Sequence, residues 1–179
     1  MKTVYEIDPV HSSAQFTIRH LMISNVRGHF NSVKGTVVYD PENVADTSIQ
    51  AEIDVNSLNT RDETRDTHVK SADFFNAEKY PSITFKSSKV ESAGDGELKV
   101  TGGLTILDVT KEVVLKVEGP SGEAKDPWGN LRVGASGSTK IKRSDFGLTW
   151  NAALETGGVM LGDDVKIELD LELIKGKTA

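Results

Sequence analysis

Arg65, Asp66 and His68 stand almost side by side on a very polar stretch. Such a trio can hydrogen-bond a hydroxyl, carbonyl or phosphate, or act as acid and base toward a bound substrate. The same spacing also describes ordinary charge pairs on a solvated helix face. His11, His20 and His29 recur at intervals of nine, which raises metal ligation. Within a continuous strand, however, that interval puts His20 on the opposite face from the other two. There is no H-x-H or H-x-x-x-H pair and no cysteine, so no metal site is expected. Ser12 and Ser13 follow His11, but adjacency in sequence does not make a triad, and no G-x-S-x-G elbow occurs. Gly102-Gly103 and Gly157-Gly158 do not resemble a phosphate loop. Arg143 and Asp145 read as a local turn pair. No residue is assigned as catalytic.

The elements that must hold these groups are mostly strands. Phe16, Ile18 and His20 share one parity, and Gln15, Thr17 and Arg19 the other. Val26, Gly28 and Phe30, then Val33, Gly35, Val37 and Tyr39, continue the same two-residue period. Further alternating runs lie around Ile49–Val55, Ile83–Phe85, Leu98–Ile106, Val113–Val117, Leu131–Ile141 and Phe146–Trp150. The last run is the cleanest, with Val165, Ile167, Leu169, Leu171 and Leu173 against charged partners. Gly94-Asp95-Gly96 marks a hairpin turn, and Gly102-Gly103 suggests a bulge or bend. Gly119 to Asn130 is the longest loop.

One segment breaks the rhythm. Ser57 to Pro81 is polar and helix-like, and it ends in Phe74-Phe75. Thr60 and Glu63 give the T-x-x-E pattern of a capping box. From Arg61 to Ser71 the only bulky apolar residue is Val69, so this helix has little to bury and must be held by its neighbours. A charged helix ending in two phenylalanines suits a cover over the open end or side of a barrel, with the aromatic pair pointing inward.

Bulk properties narrow the function classes. The chain has 179 residues, enough for a single domain spanning 1–179 with its own core. Its net charge is −6 and it has no basic stripe, so neither a nucleic-acid partner nor docking on anionic lipid by charge alone is expected. No stretch reaches the roughly 18 apolar residues of a membrane span, so stable membrane insertion is not expected. The N-terminus MKTVYEIDPVHS has no apolar h-region, which points to the cytoplasm, or to the periplasm if a leader was removed.

About eight strands joined by short polar turns, without a βαβ rhythm, give an all-β antiparallel barrel or sandwich. Aromatic and small residues both fall on inward positions, and that mixture fits either a filled core or a lined tunnel.

The chain resembles the YceI-like family, the polyisoprenoid-binding domain proteins. The resemblance rests on YEIDPVHSSAQFTIRHLMISNVRGHF, on the RD-x-H and DFFNAEKYPSITFKSS run, on GGLTILDVTKEVVL, and on DPWGN and RSDFGLTW. These matches come in order and span nearly the whole chain. Family members usually carry His-Gly at Leu107-Asp108 and Pro at Glu112, and many have a secretory leader. The resemblance implies an extended, lipocalin-like antiparallel barrel with an apolar tunnel. It also implies a long-chain isoprenoid or similar amphiphile as ligand, without covalent chemistry or another cofactor. The ligand would be stored, sequestered or transported, and a quinone-type or polyprenol lipid fits. A homodimer is plausible on the same ground.

In that tunnel the wall residues are expected to include Phe16, Ile18, Met22, Phe30 and Ile53. From the cover and beyond come Phe74, Phe75, Phe85, Leu104 and Ile106, and from the C-terminal motif Phe146, Leu148 and Trp150. The plainer alternative is that some of these only pack the barrel ends. His20 could meet a headgroup or be a satisfied core histidine. Arg65, Asp66 and His68 are the headgroup candidates on the cover. An enzyme acting on a lipid through these same groups is the competing reading.

Overall fold

A computed structural model describes residues 1–176. Its strands are β1 (Thr3–Ile7), β2 (Ser13–His20), β3 (Ser24–Phe30), β4 (Val33–Tyr39), β5 (Ser48–Asp54) and β6 (Leu58–Asn59). After helix α1 (Glu63–Lys70) come β7 (Ser82–Gly94), β8 (Glu97–Ile106), β9 (Val109–Glu118), β10 (Ala124–Lys125), β11 (Leu131–Lys142) and β12 (Leu161–Lys175). They form one antiparallel sheet of twelve strands, closed by pairing of β11 with β12 from Arg132↔Ile174 to Lys142↔Asp164.

The closed sheet is an eight-stave barrel, because the first six strands are three long staves, each broken once. β1 and β2 lie end to end along β12, which pairs with β1 at Leu173 to Lys175 and with β2 from Leu161 to Asp170. The next stave is β4 with β3, paired to β1 and β2 respectively. The third is β5 with β6.

Serines mend the backbone ladder at the breaks. Ser12 Oγ accepts from Glu172 N (3.0 Å), and Ser57 Oγ accepts from Ser32 N (3.1 Å). A hydroxyl thus satisfies an amide that the interrupted strand leaves bare.

The first break is also latched from outside. Asp8 and Asp126 each precede a proline, and each accepts the N–H two residues on, from Val10 and Trp128, both at 2.9 Å. Arg132 ties the two turns together. Its Nη1 donates to Asp8 Oδ2 (2.6 Å) and Glu172 Oε1 (2.8 Å), and its Nε to Asp126 Oδ2 (2.7 Å). His11 Nδ1 lies 2.7 Å from Asp8 Oδ2. That hydrogen bond, reinforced by Arg132 against the cost of burial, lowers the Asp8 carboxyl from 3.8 to about 2.

A depressed carboxyl contributes stability above its unfolded pKa, and that contribution disappears as pH falls through the folded value. Wild-type protein is therefore expected to lose urea resistance between about pH 4 and pH 2. Asp8→Asn should be weaker at pH 7 and flatter across that window. Equal slopes for the two proteins in urea melts would refute this role of Asp8.

The inward faces follow the expected parity. A small cluster of Val90, Leu98, Val100 and Leu115 packs near the end opposite α1. Gly28 lies under the Phe16 ring and Gly102 under the Phe85 ring, and a Cβ at either place would collide with it. The bulge expected at Gly102-Gly103 sits on the facing strand, where the register slips between Ser87 and Lys89. The Gly119–Asn130 loop contains the two-residue β10, paired to β11.

Two local expectations are corrected. Helix α1 starts later than the T-x-x-E pattern suggested: its N-cap is Asp62, whose carboxylate accepts from Arg65 N (2.9 Å). Thr60 N and Oγ1 instead donate to the Asp66 carboxylate. A strand is also absent at Phe146–Trp150. Residues Arg143–Phe146 form a 3-10 turn closed by left-handed Gly147, so the alternation there has another cause.

Candidate functional site

The barrel is hollow. Its cavity encloses about 310 Å³ and runs from Tyr5, Tyr39 and Leu98 at one end to His20, Met160 and Trp150 at the other. The wall is almost entirely apolar. β12 supplies the longest stripe, Val165, Ile167, Leu169, Leu171 and Leu173, and β4 adds Val33 and Val37.

Most of the expected wall residues are there. Phe16, Ile18, Phe30 and Ile53 line the shaft from the first three staves, and Phe85, Leu104 and Ile106 from β7 and β8. Phe74, Phe75, Leu148 and Trp150 line it from the loops.

Two do not. Met22 is 58% exposed, because it lies in the turn after β2 and not on the strand. Phe146 is buried, at 1% exposure, but the 3-10 turn faces it away from the cavity.

The cover closes one end. Among the described residues β6 pairs only with β3, and β7 begins beside Asp54, so the sheet leaves a gap at the rim near α1. The segment from α1 to Pro81 fills that gap. Phe75 packs edge-on to Phe30 (centroids 5.6 Å), and Phe30 in turn contacts Phe16 at 5.6 Å. Phe74, His68 and Trp150 form a second cluster, with centroids 4.9–5.2 Å apart. α1 has no fully buried residue, so this aromatic packing is its main hold on the barrel.

The polar candidates divide. Arg65 and His68 line the rim. Arg65 is anchored by its Nε to Thr60 Oγ1 (2.9 Å), and His68 Nε2 lies 2.9 Å from Asp73 Oδ2. Asp66 points instead to Thr60 and is outside the cavity wall. His20 reaches the cavity at the upper end of β2 and has no side-chain hydrogen bond among the described residues, so it is not a histidine satisfied by backbone. The three histidines are not brought together: His11 belongs to the Arg132 latch, and His29 has the outward parity of β3.

Arg143 is not the turn partner of Asp145 that the local sequence suggests, but a buried pin. Its guanidinium donates to the carbonyls of Leu148 (2.8 Å), Trp150 (2.7 Å) and Gly162 (2.8 Å), which fixes Trp150 against the cover. Asp163 takes Ser144 instead. Burial lowers the Arg143 pKa from its usual value. This role depends on carbonyls up to nineteen residues away, so no local pattern announced it.

Known proteins share this architecture. A UPF0312 protein of Staphylococcus aureus is 40% identical over 171 residues, covering 95% of this chain and 96% of its own. The crystal structure of Burkholderia cenocepacia BcnA superposes with a TM-score of 0.78 at 28% identity, covering 93% of this chain and 98% of that one. A polyisoprenoid binding domain from Saccharophagus degradans, implicated in plant cell wall breakdown, shares the fold with a TM-score of 0.70 at 17% identity, covering 97% and 99%. The YceI-like domain model matches residues 5–173, and the chain therefore belongs to the YceI-like family.

Proposed function

We propose that the barrel holds one long-chain amphiphile of the isoprenoid class, with its tail along the shaft and its polar end at the rim. The observation that carries this is the distribution of polarity in the cavity. The shaft is apolar, and the imidazole and guanidinium groups that reach it, from His20, Arg65, His68 and Arg143, stand at the covered end. Each CH₂ moved from water into such a wall gains about 0.8 kcal/mol. Ten such groups give roughly 8 kcal/mol, the scale of a micromolar complex before ordering costs. Shape and dryness suffice for the tail, and the rim needs to satisfy only a hydroxyl, carbonyl or phosphate. The polyisoprenoid-binding neighbour from Saccharophagus degradans supports the ligand class.

Acid–base chemistry by His20, Arg65, Asp66 or His68 has weaker support. Arg65 and Asp66 are engaged with Thr60, and Asp66 lies outside the cavity wall. Among the described residues, His20 and His68 reach the cavity without a carboxylate between them and the shaft.

Native mass spectrometry of freshly purified protein, followed by solvent extraction, tests the proposal. A co-purifying isoprenoid, or stoichiometric uptake of an added polyprenol, is expected. A clean apo mass without uptake would overturn it.

A further inference from the structure

The hairpin joining β2 to β3 carries Leu21, Met22 and Ile23 at its tip, exposed by 37, 58 and 75%. Ile23 N donates to His20 O (3.1 Å), and both central residues of that turn are left-handed, Leu21 at φ 52° and Met22 at φ 61°. Such positions ordinarily take Asn and Gly, because a larger side chain crowds its own backbone there. Here two large apolar side chains occupy the strained positions, Met22 more than half exposed and Leu21 about a third. Leu107 has the same left-handed geometry in the β8–β9 turn, so what sets this hairpin apart is the strain together with an exposed apolar tip.

The neighbouring loop enlarges the knob. Val159 is 41% exposed, Met22 lies over Gly158, and Leu21 N donates to Met160 O (2.7 Å). Directly below, His20, Met160 and Leu161 belong to the cavity wall, so the knob is continuous with the covered mouth. Arg19 and Arg27 are exposed on the outer faces of β2 and β3 just behind it.

We propose that this knob docks the mouth of the barrel on a lipid bilayer. The inference rests on the lipid-binding reading and extends it to how the ligand enters. The apolar tip would sit in the interfacial layer with the two arginines at headgroup level. A tail could then pass between membrane and cavity without crossing water. The net charge of −6 opposes adhesion to anionic lipid, so insertion of the tip must carry the affinity.

The test is flotation with phosphatidylcholine vesicles, with and without phosphatidylglycerol, comparing wild type with Leu21→Asn/Met22→Gly. That variant relieves the left-handed strain, so it should fold at least as well, and a higher melting temperature would verify this. Vesicle partitioning is expected to fall at least tenfold, and transfer of polyprenol from vesicles to slow similarly. Uptake from detergent should be unchanged. Equal flotation of variant and wild type, or no flotation of either, would overturn the inference. So would a change confined to oligomeric state by light scattering, which would make the knob a protein contact. Flotation that depends on the tip but occurs without any lipid uptake would count against the cavity reading and leave the docking surface standing.

Discussion

Replacing Gly137 by Phe is expected to abolish lipid retention while leaving the empty protein about as stable as wild type. Gly137 faces inward midway along β11, and a Cβ there meets only ordinary contacts, the nearest 3.5 Å from Leu169 Cδ1. Its backbone is not left-handed, so an L-residue fits without strain. A benzyl group would then occupy the middle of a cavity of about 310 Å³. Blocking four methylenes of a tail forfeits about 3 kcal/mol, more than a hundredfold in affinity. The ring would at the same time gain burial, and replacing a strand glycine recovers roughly 0.5–1 kcal/mol. Overpacking works against these by about 1–3 kcal/mol, so the terms nearly cancel.

Thermal melts provide the readout. Wild type with ligand at a hundred times Kd is expected to rise by about 5–10 °C, from roughly 2.7 kcal/mol of linkage in a chain of this size. Gly137→Phe should show no rise, and Gly137→Ala should keep most of it. Full ligand-induced stabilisation in Gly137→Phe would place the lipid outside the shaft.

How much of this was legible beforehand follows from which forces are local. Strand parity is local, so the inward faces of β2, β8 and β12 could be read directly, and Phe16, Leu104 and Leu169 lie where their alternation puts them. Turns without Gly or Asn are not legible in that way. Leu21 and Met22 carry no turn signal, so the strand pattern ran on through them and put Met22 in the wall. Phe146, Leu148 and Trp150 alternate by coincidence. A 3-10 turn followed by left-handed Gly147 reproduces the spacing of a strand, and Arg143 holds that geometry through the carbonyls of Leu148 and Trp150. Asp126 and His11 are near neighbours of Arg132 and Asp8 in sequence, but the bond that makes a latch of them joins Asp8 to Arg132 across 124 positions, so the closed network could not be read from the sequence. The cover was legible for the opposite reason. A helix with almost nothing apolar to bury makes sense only if it is held at its end, and Phe74-Phe75 supplied the hold.

If the weakly held cover is the gate of the proposed lipid site, Phe74→Ala/Phe75→Ala should release a bound lipid about 30- to 1000-fold faster. Three aromatic contacts disappear: Phe75 with Phe30, and Phe74 with both His68 and Trp150. At roughly 0.5–1.5 kcal/mol each, they amount to about 2–4 kcal/mol of the work of lifting the segment from the rim. The hydrogen bonds of Arg65 to Thr60 and the packing of Val69 remain, so α1 should still form. Because the cover sits on a barrel closed by the long β11–β12 ladder, its loosening need not loosen the barrel. Stopped-flow release of a fluorescent polyene lipid measures the rate, and hydrogen exchange separates the cover from the staves. Fast exchange confined to residues 60–81 together with accelerated release is the expected pair of results. Release at the wild-type rate with that segment already exchanging freely would mean that the lipid leaves by another route, and the opposite end, where Val90, Leu98, Val100 and Leu115 pack, would be the next to open.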